Sequence, residues 1–148
     1  MRNTHTIIPL LHVMSANMSD QWRTWAAILG ATGVTAGAFG AHALKKTLAA
    51  RNTTDSWRTA VTYQLVHALA LLALATREVD HRGGSTVPYD TAGKLWAGGT
   101  TLFSGSIYAL SLGAGEKFKL LGPITPLGGL LMIGGWVALG MGSEGKAK

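Results

Sequence analysis

Four apolar stretches that contain no Asp, Glu, Lys or Arg take up more than half of the chain. They are Trp25–Leu44, Thr59–Thr76, Leu95–Gly115 and Leu120–Met141, with 20, 18, 21 and 22 residues. A helix needs roughly 20 residues to cross the ~30 Å hydrocarbon core of a bilayer. Backbone polar groups in lipid must be satisfied internally, and the alternation typical of a β-barrel is missing. The chain is therefore predicted to be all-α, an integral membrane four-helix bundle with antiparallel up-down connectivity.

A soluble helical domain is the alternative that the length allows, since 148 residues can bury a sizeable core. The helices of a soluble bundle need polar outer faces, however, and residues 27–40 offer none. The tryptophans also favour a membrane, because they lie near the ends of the apolar stretches, where indole rings prefer the lipid–water interface. They are Trp22, Trp25, Trp57, Trp96 and Trp136. We expect them to act as interfacial anchors.

The charged residues lie in short loops and tails, and they give the chain a formal net charge of +6. No basic stripe with interleaved aromatic residues occurs, so nucleic acid is not expected as a partner. The absence of cysteine excludes disulfides, thiolate metal sites and a cysteine nucleophile. The expected partners are the lipid bilayer and a second copy of the chain or a larger membrane complex. Lysine and arginine divide almost equally between the two sides, so the positive-inside rule leaves the orientation open.

Residues 1–24 and 142–148 flank the predicted spans as an N-terminal extension and a C-terminal tail. The extension does not resemble a signal peptide, because its apolar run Ile7–Val13 is too short. We expect the extension to be disordered or to lie at the membrane surface. Whether residues 1–17 act as a targeting segment stays open. The loop Arg77–Lys94 contains turn residues without periodicity, which is typical of a linker.

Small residues recur along three of the apolar stretches. Helices in lipid associate through close packing, which small residues permit. We expect the small-residue faces of the first, third and fourth spans to meet one another within the chain, although a homodimer seam or a transporter hinge would use the same pattern. The predicted packing residues are Gly30, Gly33, Gly37, Gly40, Gly105, Gly128 and Gly135.

Polar side chains inside the spans are the candidate functional residues, because ionisable groups in a membrane are costly. His42 lies near the end of the first span and His67 in the middle of the second. Tyr63 and Gln64 precede His67 by four and three residues, so the three share one broad helix face. This face could bind a ligand, but we favour interhelical hydrogen bonds as its role. The expected partners on the third span are Ser104, Ser106 and Tyr108.

A haem held by two histidines is the sharpest chemical hypothesis that the spans permit. His42 lies two residues from the end of its span, whereas His67 lies about eight residues inside the next one. At 1.5 Å per residue their depths differ by roughly 9 Å, too much for two axial ligands of one iron. No metalloprotease, nucleophile-elbow, phosphate-loop or dinucleotide motif occurs. We therefore predict no catalytic, cofactor-binding or metal site, and no enzymatic activity.

Four segments carry a resemblance to a known family. Gly37–Lys45, Tyr63–Leu72, Trp96–Tyr108 and Pro123–Gly129 resemble, in this order, the motifs of domain-of-unknown-function family 423. That family includes small bacterial membrane proteins and the eukaryotic transmembrane protein 256 group. The resemblance covers about Trp25–Met141. It implies a four-helix membrane protein and supplies no activity, cofactor or catalytic residue.

The recurring motifs of that family match His42, Gln64, His67, Pro123 and Pro126 in this sequence. The eukaryotic group in the family, together with the N-terminal extension, points to a mitochondrial or other organelle membrane. The plasma membrane is the alternative location.

Three functions follow as hypotheses. The first is a non-enzymatic structural, assembly or accessory membrane subunit, because charge-free spans with glycine-rich faces suit tight packing. The second is a small transporter or channel for a neutral solute or an ion, in which the polar side chains would form a path. The spans hold no carboxylate or arginine, which disfavours ion-coupled transport. A haem redox protein is the third.

Overall fold

The computed structural model describes residues 4–76, 87–116, 118 and 121–142. These residues are almost entirely helical, as the sequence predicts. The α-helices are α1 (Thr4–Ala41), α2 (Lys45–Ala50), α3 (Thr54–Ala75), α4 (Val87–Ser111) and α5 (Leu121–Met141), and a 3₁₀ turn spans Ala114–Glu116. The described part of the chain therefore has five α-helices, one more than predicted. The additional helix, α2, lies in the first predicted loop.

Two of the helices, α3 and α5, are long and apolar enough to cross a membrane by length and composition. The other two predicted spans lie mostly in α1 and α4, but these helices end at Ala41 and Ser111, three and four residues before the predicted span ends. Both stretches contain several glycine and threonine residues among their apolar residues. Small and hydroxylated side chains suit close helix contacts better than they suit lipid.

Several helix boundaries differ from the prediction. Helix α1 begins at Thr4 and therefore includes residues 4–24 of the predicted N-terminal extension, whose location at the membrane surface stays a prediction. Helix α3 begins at Thr54, five residues before the predicted span. Helix α4 begins at Val87, inside the predicted linker, whose residues 77–86 lie outside the described part of the chain, as do residues 143–148.

Helix α5 contains two prolines near its N-terminus. The helix begins at Leu121, one residue after the start of the predicted span. Pro123 lies in the first turn, where amide groups have no partner within the helix, so its missing N–H costs little. Pro126 lies inside the helix. The hydroxyl of Thr125 donates a hydrogen bond to the Leu121 carbonyl over 3.3 Å in the same turn.

The hydrophobic core lies where α1, α3 and α4 meet. Each of the three helices contributes three buried residues to it. They are Trp22, Ala26 and Leu29 from α1, Ala68, Leu71 and Ala75 from α3, and Ala92, Trp96 and Ala97 from α4. Five of the nine are alanines, so the helix axes come close and the tryptophans fill the remaining space.

The tryptophans are not generally interfacial anchors, contrary to the prediction. Trp22 and Trp96 are each 1% exposed and Trp57 is 6% exposed, whereas Trp136 is 47% exposed. Each buried indole ring lies against a glycine of a neighbouring helix, which leaves room for it. The glycines are Gly93 opposite Trp22, Gly40 opposite Trp57 and Gly135 opposite Trp96.

The glycine face of α1 packs against α3, and not against α4 and α5 as predicted. A Cβ atom at Gly33 would lie 2.9 Å from the Leu65 side chain, and one at Gly37 would lie 3.4 Å from the Val61 side chain. By contrast, a Cβ at Gly30 would meet no described atom within 4 Å, because Gly30 lies at the edge of this face. The glycines of α1 therefore set the distance between α1 and α3.

Helices α4 and α5 approach each other closely through their backbones. A Cβ at Gly128 would lie 2.5 Å from the Phe103 backbone nitrogen, and one at Gly99 would lie 2.8 Å from the Gly128 carbonyl oxygen. Gly135 packs against Trp96, as part of the same contact. A Cβ at Gly105, however, would meet no described atom within 4 Å. The prediction thus placed Gly128 and Gly135 in a helix contact, but the partner of Gly128 on α4 is Gly99 and not Gly105.

Candidate functional site

Gln64 is the centre of the polar network inside the bundle. Its side chain is 5% exposed and joins three helices. Its Nε2 donates to the Leu29 carbonyl (2.9 Å) and to the Thr32 hydroxyl (2.7 Å), both on α1. Its Oε1 accepts a hydrogen bond of 2.9 Å from the Tyr108 hydroxyl on α4. Both Nε2 hydrogens and the amide oxygen therefore have protein partners, so the amide is satisfied within the bundle.

His67 lies one turn further along α3 and is 4% exposed. Its Nδ1 lies 2.8 Å from the Tyr63 carbonyl oxygen, and the indole nitrogen of Trp136 lies 3.3 Å from its Nε2. A carbonyl oxygen only accepts and an indole N–H only donates, so the neutral tautomer with the proton on Nδ1 satisfies both contacts. The Nε2 lone pair, which a metal would need, is occupied by Trp136.

Aromatic rings surround His67. The rings of Trp96 and Trp136 lie 6.3 and 6.0 Å from it in edge-on orientations, and they lie 4.6 Å from each other. The Tyr63 ring is stacked at 6.2 Å and also contacts Phe103 at 5.1 Å. The tyrosine itself is 45% exposed. The histidine thus connects α3 to both α4 and α5 through ring contacts.

Two serine side chains of α4 bind neighbouring helices. The Ser104 hydroxyl donates to the Ala60 carbonyl on α3 over 2.9 Å. The Ser106 and Thr125 hydroxyls lie 2.7 Å apart and connect α4 to α5. Ser104 was predicted to face the second span, and it does; Ser106 was predicted to do so and instead faces α5. Hydroxyl groups at this spacing act as interhelical hydrogen-bonding groups in a membrane bundle.

His42 is not part of this network. It is exposed and follows α1, whereas His67 is buried between α3, α4 and α5. Among the described residues, no group of three or more His, Cys, Asp or Glu side chains is placed to hold a metal ion. The two histidines therefore occupy different surroundings, as the difference in their predicted depths implies.

A groove of about 670 Å³ lies between α1 and α4, with α3 as its floor. Beyond one end of the lining residues, Trp22 of α1 packs against Gly93 of α4. Most of its lining is apolar, and the hydroxyl and amide side chains in it already have hydrogen-bond partners. The lining residues are Trp25, Ile28, Leu29, Ala31, Thr32, Thr35, Ala36, Phe39, Leu44, Trp57, Gln64, Thr100, Thr101, Ser104, Gly105 and Tyr108.

Sequence reasoning missed several members of the network. Thr32 accepts from Gln64 while donating to the Ile28 carbonyl (2.7 Å), and the Trp57 indole donates to the Ala36 carbonyl (2.9 Å). Thr32 and Phe39 both line the groove and are seven residues apart, so they lie on one face of α1. This spacing does not show which helix lies opposite that face. Trp57 lies near the start of the second predicted span, and this position was interpreted as an interfacial location.

The helices, their apolar composition and the interhelical polar network define an α-helical membrane protein. The sequence profile of the family described as protein of unknown function (DUF423) matches residues 36–129. The chain belongs to this family, as the motifs in its sequence indicate.

The relatives are named as membrane proteins. A UPF0382 membrane protein of Schizosaccharomyces pombe is 39% identical over 116 residues, which cover 77% of this chain and 93% of that protein. A UPF0382 membrane protein of Haemophilus influenzae is 35% identical, covering 85% and 95%. One of Bacillus subtilis is 40% identical, covering 70% and 79%. No solved structure matches the chain.

The energy of the Gln64–Tyr108 hydrogen bond can be measured with two substitutions. We expect Gln64→Leu to lower the free energy of unfolding by about 2 kcal/mol, because the Tyr108 hydroxyl loses its acceptor and two further hydrogen bonds are lost. Tyr108→Phe should cost about 1 kcal/mol. The double variant should cost about 1 kcal/mol less than the sum, because both partners are then removed together. Equilibrium unfolding in detergent measures all three, and strictly additive losses would show that this bond contributes nothing.

Proposed function

We propose that the chain is a non-enzymatic structural, assembly or accessory subunit of a membrane complex, with four spans in antiparallel up-down order. The spans would be the apolar parts of α1, α3, α4 and α5, and α2 would lie in the loop between the first two. Family membership and the names of the relatives support a membrane location.

The order of contacts along each helix pair supports antiparallel packing. Residues later in α1 contact residues earlier in α3, as Gly40 meets Trp57 and Gly33 meets Leu65. The order of contacts is also reversed between α3 and α4, where Ala60 contacts Ser104 and His67 contacts Trp96. It is reversed again between α4 and α5, where the contacting pairs are Phe103 with Gly128, Trp96 with Gly135 and Tyr89 with Gly142. Short connections between neighbours fit this arrangement.

The saturation of the polar network is the observation that carries the proposal. The donors of Gln64 and Ser104 and both ring nitrogens of His67 are engaged with protein groups. Catalysis or solute recognition would need polar atoms that point at a substrate. Polar atoms that are used within the bundle hold helices together. The same observation disfavours a transport path along α3 and a haem ligand at His67.

The membrane that we propose is an organelle membrane such as the mitochondrial one, with the plasma membrane as the alternative. Relatives in a yeast and in bacteria are compatible with both locations. The partner subunits would be other membrane proteins or further copies of this chain.

Purification of the tagged full-length chain from native membranes, followed by mass spectrometry of the intact assembly, tests the proposed role. We expect a fixed set of other subunits at constant stoichiometry. A homo-oligomer without other subunits would contradict the accessory role and favour a carrier or pore. A Soret absorbance band in the purified assembly would contradict the absence of haem.

A further inference from the structure

The groove between α1 and α4 has the chemistry of a site for a hydrocarbon chain. Its hydroxyl and amide donors are already bound to protein acceptors, so none is available to a polar ligand. The donors of the lining residues reach Ile28, Ala31, Leu29, Met132, Ala97, Ala60 and Gln64. The remaining surface is aliphatic or aromatic, and its outer edges at Ile28 and Phe39 are 50% and 55% exposed.

The size of the groove favours a flexible chain over a helix. A volume of about 670 Å³ lies in the range of roughly 300–1,000 Å³ that small-molecule sites occupy. A transmembrane helix is roughly 10 Å across and must span a ~30 Å core, so the groove cannot enclose one. An acyl chain is narrow enough to lie along the groove while its headgroup stays at the membrane surface.

The charge at one end of the groove selects the headgroup. Leu44 and Trp57 line this end, and residues 45–58 connect them. We call residues 45–58 the basic segment, because it holds four basic residues and one acidic residue. Lys45 and Lys46 are exposed and directly follow Leu44. The only described carboxylate of the segment, on Asp55, lies 3.6 Å from Arg58.

The opposite end of the groove offers no such excess of positive charge. Near Trp22 and Gly93, Arg23 is paired with Asp20 at 3.0 Å, and Lys94 is paired with Asp90 at 2.7 Å. These described pairs neutralise each other. The positive charge is thus concentrated at the end that residues 45–58 form, where a negative phosphate would be attracted.

We propose that the groove binds one acyl chain of an anionic glycerophospholipid, whose phosphate lies against the basic segment. The proposal rests on the four-span arrangement, which places residues 45–58 at a membrane surface. The bilayer supplies the ligand, and the protein requires no opening motion because the groove is accessible along its length through exposed residues such as Ile28 and Phe39.

Lipid retention by the purified full-length chain tests the proposal. Dioleoyl phosphatidylglycerol and dioleoyl phosphatidylcholine are titrated separately into the protein in detergent, and intact mass spectrometry counts the bound lipid. We expect phosphatidylglycerol to bind at least tenfold more tightly. Lys45→Gln with Lys46→Gln should weaken phosphatidylglycerol alone, by about fivefold for each charge and about 25-fold together. Lys94→Gln, at the opposite end, is the control and should change neither lipid.

A substitution that fills the groove distinguishes binding of an acyl chain in the groove from general attraction of lipids to the protein surface. A Cβ atom at Gly105 meets no described atom within 4 Å and Gly105 lines the groove, so Gly105→Leu should fill part of it and weaken both lipids at least tenfold. Gly98→Leu is the matched control on α4, because Gly98 is also free of contacts within 4 Å among the described atoms and does not line the groove.

Equal effects of the two leucines, or equal affinity for the two lipids, would overturn the proposal. So would a change of oligomeric mass in Gly105→Leu without a change in lipid binding, which would assign the groove to a second copy. A wrong topology would instead be detected by labelling of intact membranes, so the two failures are distinguishable.

Discussion

Replacing Gly128 with leucine is expected to lower the free energy of unfolding by about 3 kcal/mol or more, the largest effect that we expect from one substitution. A Cβ atom there would lie 2.5 Å from the Phe103 nitrogen and 2.8 Å from the Gly99 oxygen. Both neighbours are backbone atoms of α4, so a rotamer change cannot relieve the clash. The helices must move apart, and the contact between Trp96 and Gly135 is then lost as well. Even Gly128→Ala should be destabilising.

Gly140→Leu is the matched control on the same helix. A Cβ at Gly140 meets no described atom within 4 Å, and the residue is exposed. Its replacement should change the unfolding free energy by less than about 0.5 kcal/mol. Equilibrium unfolding in detergent or bicelles compares the two variants. Similar stabilities for both would show that α4 and α5 do not pack through Gly99 and Gly128.

Trp22→Ala is expected to lower the free energy of unfolding by about 3 kcal/mol, because removing a buried tryptophan leaves a cavity. The Trp22 ring is 1% exposed and packs against Gly93, which joins the middle of α1 to the N-terminal part of α4. A tryptophan that served only as an interfacial anchor would contribute much less. This substitution therefore distinguishes a structural α1 that begins before residue 25 from a dispensable N-terminal extension.

The control for Trp22 is Phe39→Ala, on the same helix. Phe39 is 55% exposed, so its truncation should cost less than about 1 kcal/mol. Thermal unfolding monitored by circular dichroism in detergent measures both. If Trp22→Ala unfolds at the same temperature as Phe39→Ala, Trp22 is not a packing residue and the core does not include the residues before Trp25.

The sequence was sufficient to predict the helices, because hydrocarbon thickness and backbone hydrogen bonding allow few alternatives for long charge-free stretches. It also predicted interhelical hydrogen bonds for Gln64, His67, Ser104 and Tyr108, and each of these side chains has a hydrogen-bond partner on another helix. Each is a polar residue in an otherwise apolar span, where an unsatisfied group is costly.

The choice of packing partners could not be predicted. Gly37 and Gly40 lie on one helix face whatever lies opposite, and only the side chains of α3 decide that this face meets Val61 and Trp57. Likewise Gly99 and Gly105 are both glycines of α4, yet Gly99 meets α5 and Gly105 faces the groove. Spacing defines a face, and the complementarity of two faces selects the neighbour.

Buried tryptophan was misassigned for a related reason. Trp22, Trp57 and Trp96 all lie near the ends of apolar stretches, and such positions are typical of interfacial anchors. Each is nevertheless buried, since a glycine opposite makes room for the ring. A pairing between a large and a small residue on different helices is not visible along one chain. It becomes visible only when the helices are placed together.

Cysteine labelling in sealed membranes tests the four-span arrangement most directly, and the chain has no native cysteine that would interfere. The labelled variants carry a single cysteine at Gln21, Ala50, Thr91, Phe118 or Ser143. We predict that the cysteines at Gln21, Thr91 and Ser143 react with an impermeant reagent from one face, and those at Ala50 and Phe118 from the other. Labelling of two consecutive positions from the same face would remove the span between them and contradict the account.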